Sequence, residues 1–188
     1  MSSLVTPATY LTLARMGFLP LIMLALVFNA EWSAWVAIVL YGLGSLTDFL
    51  DGFVARRFNQ VTPLGTFLDP IVDKVYVAAL FLMLIAVNYI SGIWIILPIL
   101  ILTREFLISG LREFLGPRNI QFPVTKLAKW KTTSQMVAIG ILLASPLALW
   151  VHLIGMFTLV AATVLTVYTG WQYFQAGLIH MMAMDQKN

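Results

Sequence analysis

The chain is expected to fold as an all-α, polytopic membrane protein, with six transmembrane helices in one bundle and a single domain over residues 1–188. Three observations carry that expectation. Of the residues, 61% are hydrophobic and only 10% charged, with a mean hydropathy of +0.92, which excludes an ordinary soluble domain. The apolar residues gather into six stretches, each near the roughly 20 residues that a helix needs to cross a bilayer. All eleven Lys and Arg lie near the N-terminus, in or beside the second-to-third and fourth-to-fifth connections, or at the C-terminus.

The first span is expected over Tyr10 to Phe28 and the second over Trp32 to Phe53, with the uncharged connection near Asn29 between them. Gly42, Gly44 and Gly52 in the second allow close backbone approach or leave room for a ligand. Asn59 to Pro63 breaks the helix, and the third span follows over Thr66 to Val87. The uncharged Asn88–Ser91 connection leads to the fourth span, Trp94 to Phe114, which ends in a basic cluster. The fifth, Thr133 to Leu149, and the sixth, Val151 to Phe174, are separated only by Ser145-Pro146 and His152. By the positive-inside rule both termini, and the aspartates described below, are expected on the cytoplasmic side. Trp32, Trp35, Trp94 and Trp150 border the uncharged connections, where an interfacial aromatic belt belongs. No leader pattern is expected before the first span, because Met1 to Thr9 carries no basic residue. With no cysteine, disulfide and thiol chemistry are excluded. The small charge of +3 gives no reason to expect nucleic acid as a partner.

The sharpest chemical signal is Asp48-Phe-Leu-Asp51-Gly52-Phe-Val-Ala55-Arg56, followed by Gly65-Thr-Phe-Leu-Asp69-Pro-Ile-Val-Asp73. It holds four of the eight acidic residues of a largely apolar chain. A carboxylate at mid-bilayer costs about 2.5–3.5 kcal/mol on insertion scales, so four together call for bound cations or a polar cavity. Asp48 and Asp51 stand at i, i+3, and Asp69 and Asp73 at i, i+4, so each pair shares one helix face. Four oxygen donors on two neighbouring helices suit a hard ion, Mg²⁺ or Mn²⁺, with room for two. Such ions clamp phosphate oxygens and activate a nucleophile. Gly52 and Ala55 keep the same side open for a flat ligand, and Arg56 can take a phosphate bidentately. Interfacial salt bridges to Arg56, Arg57 and Lys74 are the simpler reading of any one aspartate, but explain four at this spacing poorly.

With every motif position present, Asp-x-x-Asp-Gly-x-x-Ala-Arg, eight residues, Gly-x-x-x-Asp-x-x-x-Asp resembles the signature of the CDP-alcohol phosphotransferases. The six-span pattern extends that resemblance over nearly the whole chain. The resemblance implies that Asp48, Asp51, Asp69 and Asp73 hold two divalent metals, with Asp73 also the base that deprotonates the acceptor hydroxyl. It further implies that Gly52, Ala55, Arg56 and Gly65 line the cytidine and phosphate pocket, and that the protein is a homodimer among membrane lipids.

A second cluster comprises Arg104, Arg112, Lys126, Lys129 and Lys131. Arg104 and Arg112, eight residues apart, share a helix face two turns apart. A solvated positive-inside loop explains any one of these cations, but Arg104 lies inside an apolar run and needs a partner, with Glu105 and Glu113 as candidates. Three to five cations near a metal site would bind an acceptor carrying a phosphomonoester. The run Arg104 to Glu113, Lys129 to Gln135, and Tyr10 to Arg15 resemble a branch of the family that uses CDP-diacylglycerol as donor and glycerol 3-phosphate as acceptor. Ala128 and Thr9 stand where that branch carries glycine and asparagine. The alternatives are another acceptor (phosphatidylglycerol, serine or inositol phosphate) and, from a different class, a divalent-metal transporter. A transporter needs an ionisable path, whereas only Glu31 and His152 lie near the outer face. Arg15 reads either as snorkelling to the interface or as a contact to donor phosphate. His152, on the outer face, and His180, in the expected C-terminal tail, are given no catalytic role.

Overall fold

A computed structural model describes residues 7–28, 30–57, 63–116 and 126–185. Among them are six α-helices and no strand: α1 (Pro7–Val27), α2 (Glu31–Arg57), α3 (Pro63–Ala86), α4 (Ile96–Leu115), α5 (Lys126–Leu143) and α6 (Leu149–Asp185). Each expected span therefore coincides with a helix. Most of the expected break at Asn59 to Pro63 lies outside the described residues, apart from Pro63 itself, which opens α3. Proline is favoured there because its missing N–H would have no intrahelical acceptor and its fixed φ suits a first turn.

Two helices, α5 and α6, depart most from expectation. α5 starts at Lys126 rather than Thr133 and stops at Leu143 rather than Leu149. It stops because Pro146 cannot continue an α-helical ladder; the chain turns once through a 3-10 element, Ser145–Leu147, and Ala148 is extended. α6 then runs to Asp185, well past Phe174, so His180 belongs to a helix and not to a tail. At 1.5 Å per residue α6 is roughly 55 Å long, against about 30 Å for a bilayer's hydrocarbon core. Two segments, Gly92–Leu115 and Leu149–Ile179, are long and apolar enough to cross a membrane, and Leu13–Val27 is a shorter apolar helix. The four tryptophans of the expected belt, Trp32, Trp35, Trp94 and Trp150, are 49–66% exposed.

The chain divides into two compact units. The first comprises Met1–Ser91 and Ile139–Ile154. In it α1 packs on α2 and α3, with Ile22 and Leu26 of α1, Ala34 and Ala37 of α2, and Leu80, Phe81 and Leu84 of α3 fully buried. α2 begins at a reciprocal cap: the Ala30 N–H donates to Ser33 Oγ at 3.0 Å, and that hydroxyl donates to Ala30 O at 2.7 Å. α3 ends where Asn88 takes φ 62°. The Tyr89 N–H reaches Leu84 O at 2.9 Å and the Asn88 N–H reaches Ile85 O at 3.0 Å, which is the Schellman pattern that satisfies the last carbonyls.

The second unit comprises Gly92–Ala138 and Gly155–Asn188. Ile101, Ile108 and Leu115 recur every seven residues on α4 and are buried along one face. That face meets α6 over glycines: a Cβ at Gly177 would lie 2.6 Å from Leu111 Cδ2, and one at Gly170 would lie 2.5 Å from Arg104 Cγ. Both glycines are needed for the close approach of the two helices.

Candidate functional site

In the first unit the motif begins on the C-terminal half of α2 and ends in the first turns of α3. Asp48, Asp51, Gly52, Ala55 and Arg56 are helical in backbone, and their side chains lie outside the described residues. Gly65 is half-buried, and Asp69 and Asp73 are exposed, one turn apart on α3. Asp73 Oδ1 accepts an ion pair from Arg15 Nη1 at 2.9 Å. Arg15 is 3% exposed, and its guanidinium carbon stands 5.9 Å from the centroid of the Tyr76 ring. Arg15 therefore does not snorkel; it reaches inward from α1 to a motif carboxylate on α3. The partners expected for the salt-bridge reading were Arg56, Arg57 and Lys74, and here Lys74 Nζ donates to Pro70 O at 3.1 Å.

Tyr76, which backs Arg15, is held by a chain of close contacts. Its ring stacks on Tyr41 with centroids 6.2 Å apart, and Tyr41 Cε1 comes within 3.1 Å of where a Cβ at Gly140 would stand. A Cβ at Gly44 would sit 2.7 Å from the Tyr76 hydroxyl oxygen. The close approach expected of the α2 glycines is thus found at Gly44, whereas a Cβ at Gly42 would meet nothing within 4 Å.

In the second unit one carboxylate organises the basic cluster. Glu105 Oε1 accepts from Arg104 Nη1 at 3.2 Å and from Gln135 Nε2 at 3.4 Å, and forms a short ion pair with Lys131 Nζ. Gln135 Nε2 also donates to Thr166 Oγ1 at 2.8 Å, tying α5 to α6. Arg104 Nη2 donates to Thr169 Oγ1 at 3.2 Å. Lys131 is 7% exposed, and this burial holds its ammonium below the ordinary lysine range against the opposing pull of Glu105. The shared face expected for Arg104 and Arg112 is observed: their guanidinium carbons lie 5.9 and 5.0 Å from the centroid of one ring, Tyr173. Arg112 is exposed. Lys126 and Lys129 begin α5, with side chains outside the described residues.

Arg104 needed a partner and has Glu105 and Thr169. Its Nε–H remains buried without an acceptor, an arrangement that costs about 1–3 kcal/mol and that pure packing would not favour. Thr166, Thr169, Gly170 and Tyr173 carry no motif, so sequence reasoning missed them; the available signal was a pair of glycines, Gly170 and Gly177, seven apart on an apolar helix. Among the described residues no three His, Asp or Glu side chains gather as a metal site. The two α2 carboxylates of the expected set lie outside that description.

The sequence model of the CDP-alcohol phosphatidyltransferase family matches residues 5–168, and the chain belongs to that family. Named relatives agree in kind. A CDP-diacylglycerol–glycerol-3-phosphate 3-phosphatidyltransferase of Rickettsia bellii is 42% identical over 171 residues, which are 89% of this chain and 92% of the relative. A protein of the same name from Shigella flexneri serotype 5b is 40% identical over 172 residues, with the same coverage of both chains. One from Cereibacter sphaeroides is 50% identical over 120 residues, 62% of this chain and 53% of that relative.

Proposed function

We propose that this chain transfers a phosphatidyl group from CDP-diacylglycerol to sn-glycerol 3-phosphate, giving phosphatidylglycerol phosphate and CMP. An acceptor hydroxyl oxygen forms a bond to the phosphorus that carries diacylglycerol. The bond from that phosphorus to the bridging oxygen breaks, CMP departs with the electron pair, and the hydroxyl proton passes to Asp73. Asp48, Asp51, Asp69 and Asp73 would hold two divalent ions, Mg²⁺ or Mn²⁺, a donor set of hard carboxylate oxygens that suits either. Bound there, the ions supply charge neutralisation to the pyrophosphate oxygens. Gly52, Ala55, Arg56 and Gly65 accommodate the cytidine nucleotide, and Arg15 orients Asp73.

The acceptor assignment rests on one observation: two guanidiniums, Arg104 and Arg112, share one aromatic ring beside the Glu105–Lys131 pair. Guanidiniums suit a dianionic phosphomonoester. Lys126, Lys129 and Lys131 support it, Lys131 chiefly through Glu105. We read residues 1–188 as one domain of six transmembrane spans in a bacterial inner membrane, a homodimer with both termini and the aspartates cytoplasmic.

The test is to incubate the purified protein with CDP-diacylglycerol, Mg²⁺ and, separately, glycerol 3-phosphate, glycerol, serine, inositol phosphate and phosphatidylglycerol, and to identify the lipid formed. Phosphatidylglycerol phosphate with stoichiometric CMP is expected from glycerol 3-phosphate alone. Comparable turnover with another acceptor would overturn the assignment.

A further inference from the structure

We infer that the α6 face formed by Thr169, Gly170 and Tyr173 is a seat for the two α4 arginines, and that Tyr173 and Gly170 are positioning residues that set recognition of the acceptor phosphate. The inference rests on the acceptor proposed above. Three adjacent features of α6 act on the same two side chains. Thr169 Oγ1 accepts from Arg104 Nη2 at 3.2 Å. Gly170 leaves the space through which the Arg104 stem passes, since a Cβ there would lie 2.5 Å from Cγ and 2.9 Å from Nε. Tyr173, itself 6% exposed, offers its ring to Arg104 at 5.9 Å and to Arg112 at 5.0 Å.

Two like charges on one ring repel each other, so packing alone would not select this arrangement. A ring quadrupole attracts both cations and restricts the planes of both guanidiniums. Fixing a fork of donors in advance lowers the ordering cost of binding a tetrahedral anion. The location suits that task. About 20 residues of helix cross a bilayer, so in the topology proposed above, counted from Trp150, the α6 chain emerges on the cytoplasmic side near Gly170.

The experiment measures the two substrate KM values and kcat for wild type, Tyr173→Phe, Tyr173→Leu and Gly170→Ala, with thermal unfolding in detergent alongside. Phe keeps the ring, so Tyr173→Phe should hold the KM for glycerol 3-phosphate within about twofold of wild type. Losing a desolvated cation–π shelf should raise that KM about tenfold in Tyr173→Leu, with the KM for CDP-diacylglycerol and kcat at saturating acceptor little changed. Gly170→Ala displaces Arg104 while favouring the helix intrinsically, so it should raise the acceptor KM several-fold even if Tyr173→Leu folds poorly. A purely structural role would lower the unfolding temperature and the active fraction while leaving both KM values alone. That result, or equal increases in both KM values, would overturn the inference. Failure of wild type to use glycerol 3-phosphate at all would instead overturn the acceptor assignment.

Discussion

In the unit built from Met1–Ser91 and Ile139–Ile154, the hidden partner is a cation and the displayed one a carboxylate: Arg15 and Asp73 have side chains 4% and 56% exposed. The unit built from Gly92–Ala138 and Gly155–Asn188 differs. There Glu105, its side chain 19% exposed, holds Arg104 and Lys131, whose side chains are 10% and 9% exposed, and Arg112 is the cation left on the surface. The first unit thus shelters a cation beneath a displayed carboxylate, whereas the second shelters charges of both signs and displays a cation. The displayed charges match what the proposed reaction brings to each place, cations to the aspartates and a phosphate to the arginines. In the first unit Arg15 pairs directly with the displayed Asp73. In the second, Arg112 lies against Tyr173, and the sheltered charges pair with one another, because a charge removed from water must be paired or it destabilises the fold.

Removing the displayed charges should have the largest effect and bear directly on function. Asp69→Ala or Asp73→Ala should lower kcat about a thousandfold or more, the order expected when a group aimed at developing charge is lost. Unfolding in detergent should barely change for Asp69→Ala, whose side chain is exposed, whereas Asp73→Ala abandons the buried Arg15 guanidinium and should also lower stability. In the other unit, Arg112→Ala should raise the KM for glycerol 3-phosphate about tenfold, a charged hydrogen bond being worth about 1.5–3 kcal/mol. Near-normal turnover of Asp69→Ala in EDTA would break the comparison at its first term.

Removing the sheltered charges should act on stability, and unequally. Glu105→Ala leaves Arg104 and Lys131 in a poorly solvated place without their carboxylate, which should cost about 3 kcal/mol. Arg15→Met leaves only Asp73, which water already reaches, so its cost should stay near 1 kcal/mol, typical of an average point substitution. Chemical unfolding of the two variants in the same detergent measures the difference. Equal costs would mean that exposure of the abandoned partner does not govern the loss.

The smallest effect separates two glycines of α2. Gly44→Ala drives a methyl to 2.7 Å from the Tyr76 hydroxyl, an overpacking that costs about 1–3 kcal/mol. Gly42→Ala meets open space and should be neutral, or stabilising by up to about 1 kcal/mol through helix propensity. A lower unfolding temperature for Gly44→Ala than for Gly42→Ala is expected. The reverse order would remove Gly44 from the support of Tyr76, and with it from the setting of Arg15.

Much of this protein was legible without coordinates. The six helices were legible in hydropathy, because a long apolar run that leaves water must pair every backbone group within itself, which a helix does. The aspartate motif is legible because its residues are one turn apart, and spacing within a helix is spacing in space. The seven-residue shift of α5 and the length of α6 were harder, because Ser145-Pro146 marks a break but does not say how far each neighbouring helix extends. What only the tertiary structure decided are the partners between helices. Arg15 meets Asp73 across 58 positions of sequence, Lys131 meets Glu105 across 26, and Arg104 meets Thr169 across 65. No periodicity encodes such pairs; they depend on which faces pack and on glycines such as Gly44 and Gly170 that let the backbones close to within reach.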